Sequence, residues 1–266
     1  MFKKFWYNIL VVVLSVLILS SCSDYQKILK SSDYDLKLKT ALELYENKDY
    51  ARAESLFEEL IRIYNGQEEA EQIFYYYAQC YYGLKDYPMA GYYFKQFADN
   101  YALSQWAEEC NFLNAYCLYL ESPSPKLDQT STNQAIDEFI LFIRKFPSSE
   151  YVPQCNDLID EMRDKIVSKS YMNAKLYYDM DQYKASITAL NNSIEDFPET
   201  KYKEELLFLI LKSSYKLASN SVIARKNERY QATIDYYFAL IDEFPESKYS
   251  KEAIRYYENS KLELNN

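Results

Sequence analysis

No histidine occurs in the 266 residues, and glycine appears only three times. The first absence removes the Ser–His and Cys–His dyads of nucleophilic catalysis and most zinc sites. The second leaves too few glycines for a dinucleotide-binding or phosphate-binding loop. Prolines number seven, so the dense turn punctuation of a β-sandwich or barrel is also missing. Helices joined by short loops are what such a composition allows. None of the five cysteines has CxxC spacing. Cys80, Cys110, Cys117 and Cys155 read as small apolar residues at helix interfaces, while an oxidising compartment would also accommodate a Cys80–Cys117 or Cys110–Cys155 bridge. Acid pairs such as Glu58-Glu59 and Glu108-Glu109 are sequence neighbours, about 100° apart around a helix, and so form solvated faces rather than a carboxylate dyad. No catalytic group, metal or cofactor is expected, and the chain reads as a non-enzyme.

What is present begins at the N-terminus. Lys3 and Lys4 precede an apolar stretch from Phe5 to Leu19, and the run ends in Leu19-Ser20-Ser21-Cys22. A short basic start, an apolar segment and small residues before a cut site describe a secretory signal peptide. The segment is short for a membrane span of ~20 apolar residues, and Asn8 interrupts it. The cysteine after the small residues resembles a bacterial lipobox, which implies cleavage after residue 21 and lipidation of Cys22. Several acyl chains hold a protein stably on a bilayer where one holds weakly. The following residues, Ser23-Asp24-Tyr25-Gln26-Lys27, carry no acidic run of the kind that leads some lipoproteins to the cell surface. The expected location is therefore the periplasmic face of the outer membrane, anchored by lipid. Removing residues 1–21 takes away two lysines and no acid, which moves the net charge from −10 to −12. That balance excludes a nucleic-acid partner, whose phosphates need a basic footprint.

Internal repeats organise the rest. Asp49-Tyr50-Ala51-Arg52-Ala53 returns as Asp86-Tyr87-Pro88-Met89-Ala90, 37 residues later. The pattern Phe-Pro-x-Ser/Thr-x-Tyr occurs at Phe146–Tyr151, Phe197–Tyr202 and Phe244–Tyr249, and Tyr101–Trp106 is a looser copy. Between these marks lie helix pairs. The first helix of each pair carries a small residue (Ala41, Ala78, Ala115, Ala174, Ser214), and so does the second (Ala53, Ala90, Ala135, Ser186, Thr233). One turn after the second small residue comes a large one: Phe57, Phe94, Phe139, Leu190 or Tyr237. Asn65, Ala102, Pro147, Pro198 and Pro245 follow as breakers.

This small–small–large–breaker order resembles the tetratricopeptide repeat, with a period near 34. The resemblance implies an all-α, right-handed solenoid of about five helix pairs over residues 34–250, with a capping helix from Lys251 to Leu264. The small residues are 12 apart in pairs one, two and four, but 20 and 19 apart in pairs three and five. The extra residues are expected to loop around Glu121–Thr132 and Ser219–Asn227. Residues 152–182 lack a strong breaker and read as one long helix or two abutting ones. The expected organisation is a signal peptide over 1–21, a lipidated linker over 22–33, N-terminal repeats over 34–151, and C-terminal repeats with the cap over 152–266. A solenoid leaves one face of its first helices free. Leu38, Leu42 and Tyr45, then Tyr75, Gln79 and Tyr82, then Phe112, Tyr116 and Tyr119 fall where the repeat family lines that groove. Tyrosine supplies ring area at low entropic cost and a hydroxyl for peptide backbone, so an extended peptide with aromatic side chains is the expected ligand.

The lipobox, the five helix pairs, the Phe-Pro-x-Ser-x-Tyr marks and the chain length together resemble the BamD family of outer-membrane assembly lipoproteins. The start Cys22-Ser23-Asp24-Tyr25-Gln26-Lys27 and the segment Tyr75–Gly83 resemble its Bacteroidota branch. The resemblance implies a scaffold. Its partners would be the soluble domains of a BamA-like β-barrel insertase, bound by C-terminal repeats, and the C-terminal peptides of unfolded outer-membrane proteins, received by N-terminal repeats. Two other functions fit a lipidated repeat array: a scaffold for cell-wall enzymes or a secretion system, and a glycan-binding surface lipoprotein. Against the last, Trp106 is the single tryptophan after residue 21.

Overall fold

The computed structural model describes residues 25–265, and all regular structure among them is helical. Cys22 and the expected signal segment lie outside the described residues. A helical turn over residues 25–29 precedes eleven helices: α1 Tyr34–Glu46, α2 Tyr50–Ile63, α3 Ala70–Gly83, α4 Tyr87–Asn100, α5 Ala107–Leu120, α6 Thr130–Lys145, α7 Val152–Asp179, α8 Tyr183–Asp196, α9 Lys203–Ser219, α10 Ile223–Glu243 and α11 Ser250–Leu264. The described residues form two compact units. The first contains residues 25–122 and Thr130–Ile159, and the second contains Pro123–Gln129 and all residues from Asp160. In the first, α1 to α6 pack on one another in chain order; in the second, α8 to α11 do. First helices of neighbouring pairs also meet, α1 with α3 and α9 with α11. This is the connectivity of a tetratricopeptide array.

The packing follows from the small residues. All ten are buried, because two helix backbones can approach closely only where neither carries a large side chain. In the second unit three of the four small residues are hydroxylic and their hydroxyls are satisfied: those of Ser186 and the neighbouring Ser213 lie 3.0 Å apart, and those of Ser214 and Thr233 2.9 Å apart. Such pairing removes the desolvation penalty of a buried hydroxyl. Phe57, Phe94, Phe139 and Leu190 are fully buried as the sequence pattern demands. Tyr237 is only half-buried. It stacks on Tyr257 with ring centroids 4.6 Å apart, and Leu240 holds the buried place on α10.

Two kinds of turn alternate. Within pairs one, two and four the helices are joined through a non-glycine residue in the left-handed region: Lys48, Lys85 and Asp181, with φ of 61°, 62° and 58°. The amide that follows each bonds back to the first helix, from Asp49 to Leu44, Asp86 to Tyr81 and Gln182 to Tyr177, at 2.8–3.0 Å. These closures satisfy carbonyls that a helix end leaves unpaired, and they occur in the three pairs whose small residues are 12 apart. Between pairs two and three, three and four, four and five, and before the last helix, the Ser or Thr of the recurring motif closes the turn into the next helix. Ser104, Ser149, Thr200 and Ser247 accept from the amides of Trp106, Tyr151, Tyr202 and Tyr249 at 3.0–3.3 Å. Helices α5, α7, α9 and α11 begin one residue later.

Two expectations change and an open one is resolved. The residues around Ser219–Asn227 do not form a loop: α10 starts at Ile223, so the insertion in the fifth pair mostly lengthens a helix, to 21 residues. Isoleucine, alanine, arginine and lysine are adequate helix formers, and polarity alone does not distinguish exposed helix from loop. Of the two readings for 152–182, the structure has the first, one helix of 28 residues over Val152–Asp179. Residues 25–29, read as part of a linker, are helical and pack through Tyr25, Ile28 and Leu29 on the apolar core that includes Ala41, Phe57 and Tyr77. Cys80, Cys110, Cys117 and Cys155 are buried free thiols. No helix among the described residues is long and apolar enough to cross a membrane.

Candidate peptide-binding face of the first unit

The nine residues expected to line a groove all lie on α1, α3 and α5, the first helices of pairs one to three. On α1, Leu38, Leu42 and Tyr45 are half-buried against the core of the first pair. Tyr45 meets Tyr50 and Tyr76 edge-on, at centroid separations of 5.6 and 4.8 Å. Burial, with the neighbouring Tyr50 next, pushes its phenol up to about 12.

On α3, Tyr75 and Gln79 are buried, each 9 % exposed. The Tyr75 hydroxyl donates to Glu109 Oε2 at 3.0 Å and accepts from Gln79 Nε2 at 2.9 Å. Its ring stacks on Trp106 at 4.8 Å, with an interplanar angle of 16°. Burial first, and the Glu109 charge second, raise this phenol far above the ordinary tyrosine value. Tyr82 is half-buried, and its phenol is raised by burial and then by Tyr116 on the next first helix.

On α5, Phe112 is 5 % exposed. It stacks on Tyr151 at 4.3 Å on one side and on Tyr116 at 5.7 Å on the other, and Tyr116 stacks on Tyr119 at 5.5 Å. The structure thus gathers five of the nine residues into two aromatic runs, one from Tyr45 through Tyr76 and Tyr75 to Trp106, the other from Tyr151 through Phe112 and Tyr116 to Tyr119; Leu38, Leu42, Gln79 and Tyr82 lie outside them.

This differs from an open groove in one respect. Tyr75 and Phe112 are covered because Trp106 and Tyr151, at the ends of two inter-pair turns, fold back over them, and Gln79 is buried with its amide on the Tyr75 hydroxyl. The same staple recurs in the second unit, where Tyr171 stacks on Tyr202 and Phe208 on Tyr249, both at 4.2 Å. The spacing of the turn motif signals that Trp106, Tyr151, Tyr202 and Tyr249 form a set. It does not say which residue each one meets. What the face offers to solvent is the half-exposed rim: Leu38, Leu42 and Tyr45 on α1, Tyr82 on α3, and Tyr116 and Tyr119 on α5. Rings there are fixed by stacking and can present edges and hydroxyls at little further entropic cost.

Residues 37–230 match the YfiO family, described as outer membrane lipoprotein. The putative outer membrane protein assembly factor BamD of Aquifex aeolicus (strain VF5) is 26% identical over 205 residues, which cover 76% of this chain and 67% of that protein. The outer membrane protein assembly factor BamD of Caulobacter vibrioides is 24% identical over 119 residues, covering 45% of this chain and 39% of that one. Among solved structures, a tetratricopeptide-repeat protein of Bacteroides fragilis overlays at a TM-score of 0.37 with 13% identity, covering 87% of this chain and 99% of that one. The TPR2AB domain of yeast Sti1 in its pHSP90 complex overlays at 0.40 with 10% identity, covering 86% and 99%. Overlays this loose leave the fold to rest on the helix pairs themselves. The family match spans well over half of the sequence, and on that ground this chain belongs to the YfiO family of outer membrane lipoproteins.

Proposed function

We propose that this protein is a non-enzymatic scaffold of the outer-membrane β-barrel assembly machinery, anchored through a lipid on Cys22 at the periplasmic face. Its first unit receives the extended C-terminal peptides of unfolded barrel proteins along the rim of α1, α3 and α5. Its second unit holds the soluble domains of the barrel insertase. The observation that carries this reading is the family match across residues 37–230, and two relatives are named as assembly factors.

The chemistry of the rim supports it. Tyr82, Tyr116 and Tyr119 present phenols beside a preformed stack, which suits aromatic side chains by ring contact and peptide backbone by hydrogen bonding. Catalysis plays no part in this account.

The test is site-specific photocrosslinking in membranes that are assembling barrel proteins. A photoreactive residue replacing Tyr82 or Tyr116 should capture unfolded barrel proteins, and one replacing Leu103 should not. Adducts confined to cell-wall enzymes or secretion components would refute the assignment and support a different scaffold.

A further inference from the structure

Lys37 is a lysine with 1 % of its surface exposed. Lysine is almost never so buried without a partner, and here both partners are identifiable. Its ammonium donates to the Leu29 carbonyl at 3.0 Å and to Glu59 Oε2 at 2.6 Å. The Leu29 carbonyl ends the helical turn over residues 25–29, where carbonyls lack partners within the helix. At the other end of the same turn, the Tyr25 hydroxyl donates to the Arg52 carbonyl at 3.1 Å, and the Arg52 guanidinium sits 5.5 Å from the Tyr25 ring centroid. Ile28 and Leu29 pack on the core of the first pair. A segment that the sequence presents as a leash is therefore held at both ends and along its apolar side.

We infer that residues 25–29 form a clasp that holds the first repeat against the phospholipid headgroups of the anchoring leaflet. The inference rests on the reading of Cys22 as the lipidated residue. Only Ser23 and Asp24 separate Cys22 from Tyr25, and three extended residues reach at most about 11 Å. The clasp converts a lipid anchor into a short mount, so the surface around residues 25–32 meets the headgroup layer. Lys27 and Lys30 are exposed on this segment, between Asp24 and Asp33 in sequence, in a chain whose net charge after residue 21 is −12. Basic side chains next to a lipid anchor are drawn to anionic headgroups. The mount fixes the height at which the rim of α1, α3 and α5 stands from the bilayer, which a free linker would not.

The full lipidated chain in vesicles of phosphatidylethanolamine and phosphatidylglycerol, doped with a headgroup-quencher lipid, tests this. A fluorophore is placed at Gln26→Cys or, for comparison, at Leu103→Cys, a fully exposed position in the turn between α4 and α5. The label at position 26 should be quenched at least twofold more than the label at 103. Inserting 20 Gly/Ser residues between Asp24 and Tyr25 gives a tether of about 25 Å root-mean-square length, and should at least halve quenching at position 26 while leaving membrane partition unchanged. Equal quenching at the two positions, or no effect of the spacer, overturns the clasp. Cys22→Ser separates the two readings: loss of partition with equal quenching in the parent removes the clasp alone, and full partition by Cys22→Ser removes the anchor and the clasp with it.

Discussion

Gly83→Ala sets two well-known effects against each other. Gly83 is the last residue of α3, and alanine there gains helix propensity, up to about 1 kcal/mol and less at a helix end. Against this, a Cβ on residue 83 would stand 2.5 Å from Cδ2 and Cε2 of Tyr50 and 2.7 Å from its Cγ. Cγ sits next to the backbone of α2 and cannot swing clear as a side-chain tip can. The ring is also held edge-on to Tyr45 at 5.6 Å, a contact of about 0.5–1.5 kcal/mol. Overpacking of this kind costs about 1–3 kcal/mol, so the net change is destabilisation by about 1–2 kcal/mol. In a Tyr50→Ala background the obstacle is gone, and Gly83→Ala should be neutral or stabilising. The reversal appears as a coupling energy of about 2 kcal/mol in a double-mutant cycle. Urea unfolding followed by Trp106 emission is the assay, since Trp106 stacks on Tyr75 inside the first unit and a two-unit array need not melt as one. A stabilising Gly83→Ala with Tyr50 intact would refute the close approach of α2 and α3.

The turn staple is tested by Tyr151→Ala, which removes stacking on Phe112 at 4.3 Å and half-buried ring area. It should cost about 2 kcal/mol, whereas Tyr151→Phe should stay within about 0.5 kcal/mol of the parent by the same melt. The tyrosines also impose an alkaline limit. Burial leads the rise of the Tyr45 and Tyr81 phenols to about 12. A group that binds its proton more tightly when folded stabilises fully below its unfolded pKa and loses that stabilisation above it. Stability should therefore fall as pH rises from about 10 to about 12, and Tyr45→Phe should blunt the fall, read by urea melts across that range. The thiols form a third check. Burial pushes Cys80 and Cys117 up to about 12 and Cys155 to about 11, and raises Cys110 further still. Thiolate is the reactive form, so a thiol reagent at pH 8 should modify none of the four in the native Cys22→Ser chain and all four in urea.

The helix pairs were legible because their determinants are local and steric. Where two helices cross closely only Ala, Ser, Thr or Gly fits, so the residue type at Ala41, Ala53, Ala78 and Ala90 records the crossing directly. The left-handed turn at Lys48, Lys85 and Asp181 leaves no such mark in residue type, since none of the three is glycine. It is visible only through the constant distance between the small residues it connects. The clasp was hidden for a different reason. Nothing in Tyr25-Gln26-Lys27-Ile28-Leu29 announces a fixed segment. What fixes it is Lys37 and Arg52, whose burial and orientation are tertiary facts.

The binding face was half legible for a reason that also explains the tyrosine content. Helical spacing assigns Tyr75 and Phe112 to the outer side of α3 and α5, but it cannot say that Trp106 and Tyr151, 31 and 39 residues further on, return to cover them. Where the covered residue is a tyrosine, its hydroxyl reaches an acid on the next first helix: Tyr75 donates to Glu109 at 3.0 Å and Tyr171 to Glu205 at 2.7 Å, each 34 residues apart. Where it is a phenylalanine, as at Phe112 and Phe208, the stack alone holds the turn, and the ring separations are no longer: 4.3 and 4.2 Å against 4.8 and 4.2 Å. The choice between Tyr and Phe thus adds or omits a polar tie between neighbouring first helices without changing the staple. Much of the aromatic content is consumed in joining one pair to the next. On the proposed function, a peptide arriving at this face would meet a rim of ring edges and hydroxyls already held by stacking, and its affinity would owe little to any rearrangement of the rings beneath.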